Sequence, residues 1–190
     1  STPFESIDGY RVDVTGTGSQ SITENYIRVS ADAVTGDAAW IQKNPTLQAI
    51  LRYDRESRFR VEIDFSADTN QEIRIGVGDN SDGVQDSHYG FWIDDGTLKG
   101  TASSGTSTQT VTLQTVTAST VYDLEARYYP GYKVDFYVNG ALKGSVTDVT
   151  KLPSYAAANY FYTLFTFYIE TQADEGKIAR CSWFEYIQRR

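Results

Sequence analysis

The feature that most constrains this chain is strict period-two alternation, interrupted at short intervals by turn residues. From Arg58 to Phe65, the apolar residues Phe59, Val61, Ile63 and Phe65 alternate with Arg58, Arg60, Glu62 and Asp64. Successive side chains on a strand point to opposite faces, so this run has one core face and one charged face. The pattern returns at Glu72–Gly78 with Ile73, Ile75 and Val77, and at Tyr89–Asp94 with Tyr89, Phe91 and Ile93. It returns again at Thr108–Leu113 with Gln109, Val111 and Leu113, and at Val121–Tyr129 with Tyr122, Leu124, Ala126 and Tyr128. Tyr132–Val138 offers Val134, Phe136 and Val138. Two longer strands are expected near Tyr160–Thr171 and Lys177–Gln188, and three more at Tyr10–Val14, Tyr26–Ser30 and Leu47–Tyr53.

Turn chemistry separates these runs. Asp95-Gly96 and Asn139-Gly140 are strong hairpin signals, because both residues of each pair tolerate positive φ. Pro130-Gly131 and Glu175-Gly176 mark further turns. Helical periodicity is sustained nowhere; Thr35–Ile41 has room for a single turn, and Trp40 to Pro45 is expected as a loop crossing one end. Many short strands, each with one apolar face, must pair sheet against sheet. The expected fold is all-β: a two-sheet antiparallel jelly-roll sandwich, formed as one domain over residues 1–190.

Charge and composition exclude several functions. The formal charge is −8. The cluster Arg52, Arg55, Arg58 and Arg60 is interleaved with Asp54, Glu56, Glu62 and Asp64, so it reads as a solvated face and not as a basic footprint. Nucleic acid is therefore not an expected partner. No apolar stretch approaches the roughly 20 residues of a membrane helix, and no N-terminal stretch reads as a signal peptide, so membrane insertion is not expected. Methionine is absent altogether, and the sequence is expected to be a mature product, a trimmed chain or a piece of something longer. The one cysteine, Cys181, cannot form an intrachain disulfide. It falls in the alternating set Ala179, Cys181, Trp183 and Ile187, which places it in the core as an inert thiol.

The segment Val134-Asp135-Phe136-Tyr137-Val138-Asn139-Gly140-Ala141-Leu142-Lys143-Gly144 resembles the hairpin of concanavalin A-like, laminin-G-like domains. Tyr89–Leu98 is similar to the preceding hairpin of that pattern, and Val121–Tyr128 to the strand before the aromatic one. Leu152-Pro153 and Tyr168-Ile169-Glu170-Thr171 resemble the closing half. The likeness covers the core region, residues 58–190, and fits residues 1–57 less well. Its style is that of domains in virus and phage structural proteins. It implies a sandwich that binds sugars or proteins, cleaves glucans or serves as a surface module.

Catalysis is tested against residues. Laminarinase-like enzymes of this fold carry Glu-x-Asp-x-x-Glu on one strand, because glycosidic cleavage needs two carboxylates. Glu62-Ile63-Asp64 begins that spacing, but Ala67 stands at the third position. Glu62 and Asp64 read instead as an outer face paired with Arg58, Arg60 and Arg74. The only histidine, His88, is expected in a polar surface loop, with no nucleophile placed beside it. The chain is therefore not expected to be an enzyme; a glycan hydrolase or lyase would need carboxylates from separate strands.

Two binding features remain. The loop Gly78–Asp86 gathers oxygen donors, and Asp79, Asn80, Asp82 and Asp86 are the candidate ligands for a calcium ion, against the plain reading of a solvated turn. Aromatic residues make up 14% of the chain, and several fall opposite their strands' apolar sets: Trp92, Tyr137, Tyr160, Tyr162 and Tyr168. Rings outside the core suit sugar stacking or a protein interface, unless both faces of their strands are covered. These features lead to two expectations. The first is a virion or extracellular surface module, such as a capsid decoration, spike or fibre domain, that forms a homo-oligomer or joins another structural protein. The second is a carbohydrate-binding module of a secreted protein.

Overall fold

The computed structural model describes residues 10–23, 26–43, 52–78, 87–154 and 165–189. The strands are β1 (Tyr10–Thr15), β2 (Ser19–Ile22), β3 (Ile27–Ala31), β4 (Ala38–Lys43), β5 (Ser57–Phe65), β6 (Gln71–Gly78) and β7 (Ser87–Asp94). They continue with β8 (Thr97–Ser104), β9 (Thr108–Thr115), β10 (Tyr122–Tyr129), β11 (Lys133–Val138), β12 (Ala141–Val146), β13 (Phe165–Thr171) and β14 (Lys177–Gln188). Among the described residues the sole helical element is one 3-10 turn, Val149–Lys151.

Two antiparallel sheets of seven strands form the sandwich. Sheet I runs β1-β4-β13-β6-β7-β8-β9, and sheet II runs β12-β11-β10-β5-β14-β3-β2. The alternating residues supply the core between them. Phe59, Val61, Ile63, Phe65, Leu124, Ala126, Val134 and Phe136 from sheet II meet Ile73, Val77, Tyr89, Phe91, Leu98, Phe165, Phe167 and Ile169 from sheet I, all fully buried. Both predicted hairpin pairs take the expected backbone: Asp95 and Gly96 have φ of 48° and 71°, and Asn139 and Gly140 have 50° and 77°. Positive φ at both central positions matches the right-handed twist of the strands they join.

The expected strand at Tyr10–Val14 is β1, and that at Tyr26–Ser30 is β3 shifted by one residue. β2 was not expected. The other early expectations need correction. Thr35–Ile41 holds no helix: a turn leads directly into β4, and Trp40, read as a loop residue, is a strand residue between β1 and β13. His88 is not in a surface loop. It lies in β7, 3% exposed, with Nε2 3.2 Å from the Thr101 hydroxyl. Of the strand expected at Leu47–Tyr53, residues 47–51 lie outside the described residues, and Tyr53 sits in a turn.

The last strand carries the largest correction. β14 has the predicted length, and Cys181 is fully buried, with its thiol donating to the Trp183 carbonyl at 3.4 Å. Burial pushes the thiol well above its ordinary pKa. Pairing with β5 then slips by one residue, with Cys181 opposite Ile63 and Trp183 opposite Glu62. This bulge reverses the later alternation. Phe184 and Tyr186 pack against the core, while Trp183 lies under the Arg60 guanidinium and Ile187 is 47% exposed.

Candidate functional site

The five outward aromatics singled out in the sequence do not form one group. Tyr160 and Tyr162, and the whole candidate calcium set Asp79, Asn80, Asp82 and Asp86, lie outside the described residues. Tyr137 is on the outer face of sheet II, with the Arg127 guanidinium 4.3 Å from its ring centroid. Trp92 and Tyr168 are on the outer face of sheet I, and strand register brings them together.

That register builds a row across five neighbouring strands. Trp40 on β4 is opposite Tyr168 on β13, Tyr168 is opposite Arg74 on β6, Arg74 is opposite Trp92 on β7, and Trp92 is opposite Lys99 on β8. Directly opposed residues have Cβ atoms roughly 5 Å apart, so each side chain meets its neighbour. The Trp40 and Tyr168 rings are 6.2 Å apart and tilted by 44°. Trp92 is flanked by two cations, Arg74 at 5.2 Å and Lys99 at 4.3 Å from its centroid. Such cation–π contacts fix the ring's orientation. Tyr168 is almost fully buried, whereas Trp40 and Trp92 are half-buried. The buried Trp92 Nε1 has no hydrogen-bond partner among the described residues.

A second row runs beside the first. Glu170 on β13 is opposite Glu72 on β6, which is opposite Asp94 on β7. Each carboxylate has its own partner. Glu72 accepts from Arg74 Nε, Asp94 accepts from Lys99 Nζ at 2.7 Å, and Glu170 accepts from the Tyr168 hydroxyl. Burial raises the Glu72 carboxyl above its ordinary pKa; Arg74 opposes this, and the charges of Glu170 and Asp94 add to it. The face thus combines two half-buried indoles, fixed cations and fixed acceptors.

Sequence reasoning found Trp92 and Tyr168 by alternation and missed Trp40, Arg74, Lys99 and the carboxylate row. The sequence leads one to expect Arg74 beside Glu62 and Asp64, but it belongs to the opposite sheet. On that face the ion pairs include Arg58 with Glu185, Arg60 with Asp123, and Arg180 with Asp64 at 2.9 Å.

The fold and this face define a two-sheet β-sandwich with a mixed aromatic and charged outer surface. The profile of the SO2946-like C-terminal domain matches residues 26–172, and the chain belongs to that family. No curated protein sequence matches it. Among solved structures, it is similar to a sialidase with a TM-score of 0.64 at 12% identity, covering 95% of this chain and 17% of that one. It is similar to a structure of botulinum neurotoxin type C, a toxin whose cell entry depends on interaction with two ganglioside molecules. There the TM-score is 0.61 at 11% identity, over 95% of this chain and 44% of the other. It is also similar to protein SO2946 of Shewanella oneidensis MR-1, with a TM-score of 0.59 at 15% identity, over 92% of this chain and 79% of that one. The chain therefore spans less than half the length of the sialidase and of the toxin chain. At these identities the likeness establishes the fold.

Proposed function

We propose that the chain is a non-catalytic glycan-binding module working outside the cell, and that the outer face of sheet I is its sugar face. The observation that carries this reading is the row Trp40–Tyr168–Arg74–Trp92–Lys99. Its two indoles stand three strand spacings apart, about 14 Å, a span suited to an oligosaccharide lying across the strands. Apolar ring surface takes the sugar's C–H faces, while Arg74, Lys99 and the carboxylates meet its hydroxyls. Neighbours named as a sialidase and a ganglioside-dependent toxin lend support at the level of fold. The concanavalin A-like resemblance points the same way. The non-catalytic part rests on the pairing of Glu72, Asp94 and Glu170, each held by its own donor, which leaves none of the three poised as a free base.

A virion or capsid role draws no support from these likenesses and stands second. A glycan array tests the main reading: wild-type protein is expected to mark a coherent set of glycans that Trp92→Ala loses. An array without signal would remove the reading.

A further inference from the structure

We propose a second ligand site, for the oxyanion of an acidic sugar, in the cleft at the Tyr129 end of sheet II. The sugar part of this assignment rests on the glycan-binding reading; the anion part does not. The cleft has a volume of about 380 Å³, and its walls include Arg58, Arg127, Arg189, Glu56, Tyr129 and Ile187. Three cations face one carboxylate there, on a chain whose formal charge is −8.

β5 and β10 pair so that Arg58 is directly opposite Arg127. Like charges directly opposed on antiparallel strands are destabilising. The residues directly opposite on the flanking strands add no free carboxylate; relief for Arg58 comes from Glu185, displaced along β14. Beyond Arg58, β14 presents Ile187, 47% exposed. Beyond Arg127, β11 presents Asp135, which is already engaged by Lys133 at 2.7 Å and by the Ser145 hydroxyl at 2.5 Å. Each arginine reaches sideways to one carboxylate through one nitrogen: Arg58 Nη2 to Glu185, Arg127 Nε to Glu125, and Arg189 Nη1 to Glu56 at 2.7 Å. A guanidinium carries five N–H donors in a fork that matches a carboxylate or sulfate.

The surroundings are built for a ligand. Beneath the cleft, Tyr128 is buried, and its hydroxyl bonds with the carbonyls of Tyr53 at 2.8 Å and Pro153 at 2.7 Å, so the floor is rigid. Tyr129 lines the cleft beside Arg127, with Lys133 Nζ 5.3 Å from its ring centroid, so a further cation stands near the proposed anion. An arginine pair directly opposed across two antiparallel strands departs from a local rule of sheet stability. Such departures concentrate where function compensates for them.

The test titrates the whole chain, followed by NMR, with glucuronic acid, glucosamine 6-sulfate, neutral glucose and inorganic sulfate. The first two distinguish a carboxylate from a sulfate as the preferred group. One or both acidic sugars are expected to bind at least ten-fold more tightly than glucose, and to weaken as salt rises. Arg58→Gln and Arg127→Gln should each reduce that affinity ten-fold or more. Thermal melting checks their folding: each change removes both the repulsion and one partly exposed ion pair, so the midpoints should stay within a few degrees of wild type. Trp92→Ala should bind the acidic sugar unchanged, which separates this site from the face of sheet I. Equal binding of acidic and neutral sugars, or wild-type affinity in both arginine variants, would overturn the site. Inorganic sulfate binding as tightly as the acidic sugars would overturn the sugar assignment.

Discussion

Gly100 is the position where one added methyl group most directly tests the packing of the two sheets. It lies on β8 opposite Phe91, facing the interior. A Cβ at Gly100 would sit 2.4 Å from Phe136 Cδ2, 2.5 Å from Cγ and 2.7 Å from Cε2. Carbon atoms in contact prefer about 3.5–4.0 Å, so the overlap exceeds an ångström. Phe136 is fully buried and packs edge-on against Phe91, with centroids 5.6 Å apart and planes at 75°, so its ring has no free direction in which to retreat. Overpacking of this kind costs about 1–3 kcal/mol. The same substitution gains only about 0.4–1 kcal/mol by restricting the unfolded chain, so destabilisation wins. For a chain of this size each kcal/mol shifts the melting midpoint by about 2–4 °C. Gly100→Ala should therefore lower the midpoint by several degrees in calorimetry. Phe136→Leu in the Gly100→Ala background should cost less than in wild type, with a coupling of about 0.5–3 kcal/mol. A Gly100→Ala midpoint equal to wild type, or strict additivity of the pair, would refute the packing argument.

Three further outcomes follow from the same geometry. Because the folded Glu72 carboxyl titrates above its unfolded value, the native state holds a proton that the unfolded state has released. Its contribution is fully present below the ordinary carboxylate value of 4.5 and is lost as pH rises through the folded pKa. The stability of wild type relative to Glu72→Gln should then fall between pH 4.5 and neutrality in urea titrations; a difference independent of pH would contradict this. Cys181 should resist a thiol reagent in the native protein and react fully once unfolded, and rapid native labelling would place it at the surface. Deleting Ser182 removes the bulge yet keeps Phe184 and Tyr186 inward, so the variant should fold cooperatively; failure to fold would show that the bulge itself is required.

The sandwich was legible because alternation reports burial directly. Phe59 to Phe65 and Tyr122 to Tyr128 point where their spacing says, and Asn139-Gly140 turns as its chemistry requires. The bulge after Cys181 was not legible. A single extra residue leaves the apolar pattern readable in either phase, and only pairing with β5 decides between them. The site was half legible for the same reason. Trp92 and Tyr168 stood out against their own strands, but their union with Trp40 and Arg74 depends on register between β4, β13, β6 and β7, which lie far apart in the chain. Trp40 follows Ala38 and Ala39 and has no alternation to mark its face. His88 was misread because a polar residue at a strand end looks like a loop residue until its burial is seen.

The central claim is that the outer face of sheet I binds sugar through its aromatic row. The most direct measurement is calorimetric titration of an array-positive oligosaccharide into wild type, Trp92→Ala and Tyr137→Ala, the last lying on the opposite sheet. A central aromatic anchor is worth about 2 kcal/mol or more, so Trp92→Ala should weaken binding roughly 30-fold while Tyr137→Ala leaves it unchanged. Loss of binding in Tyr137→Ala with full affinity in Trp92→Ala would contradict the account and move the site to sheet II.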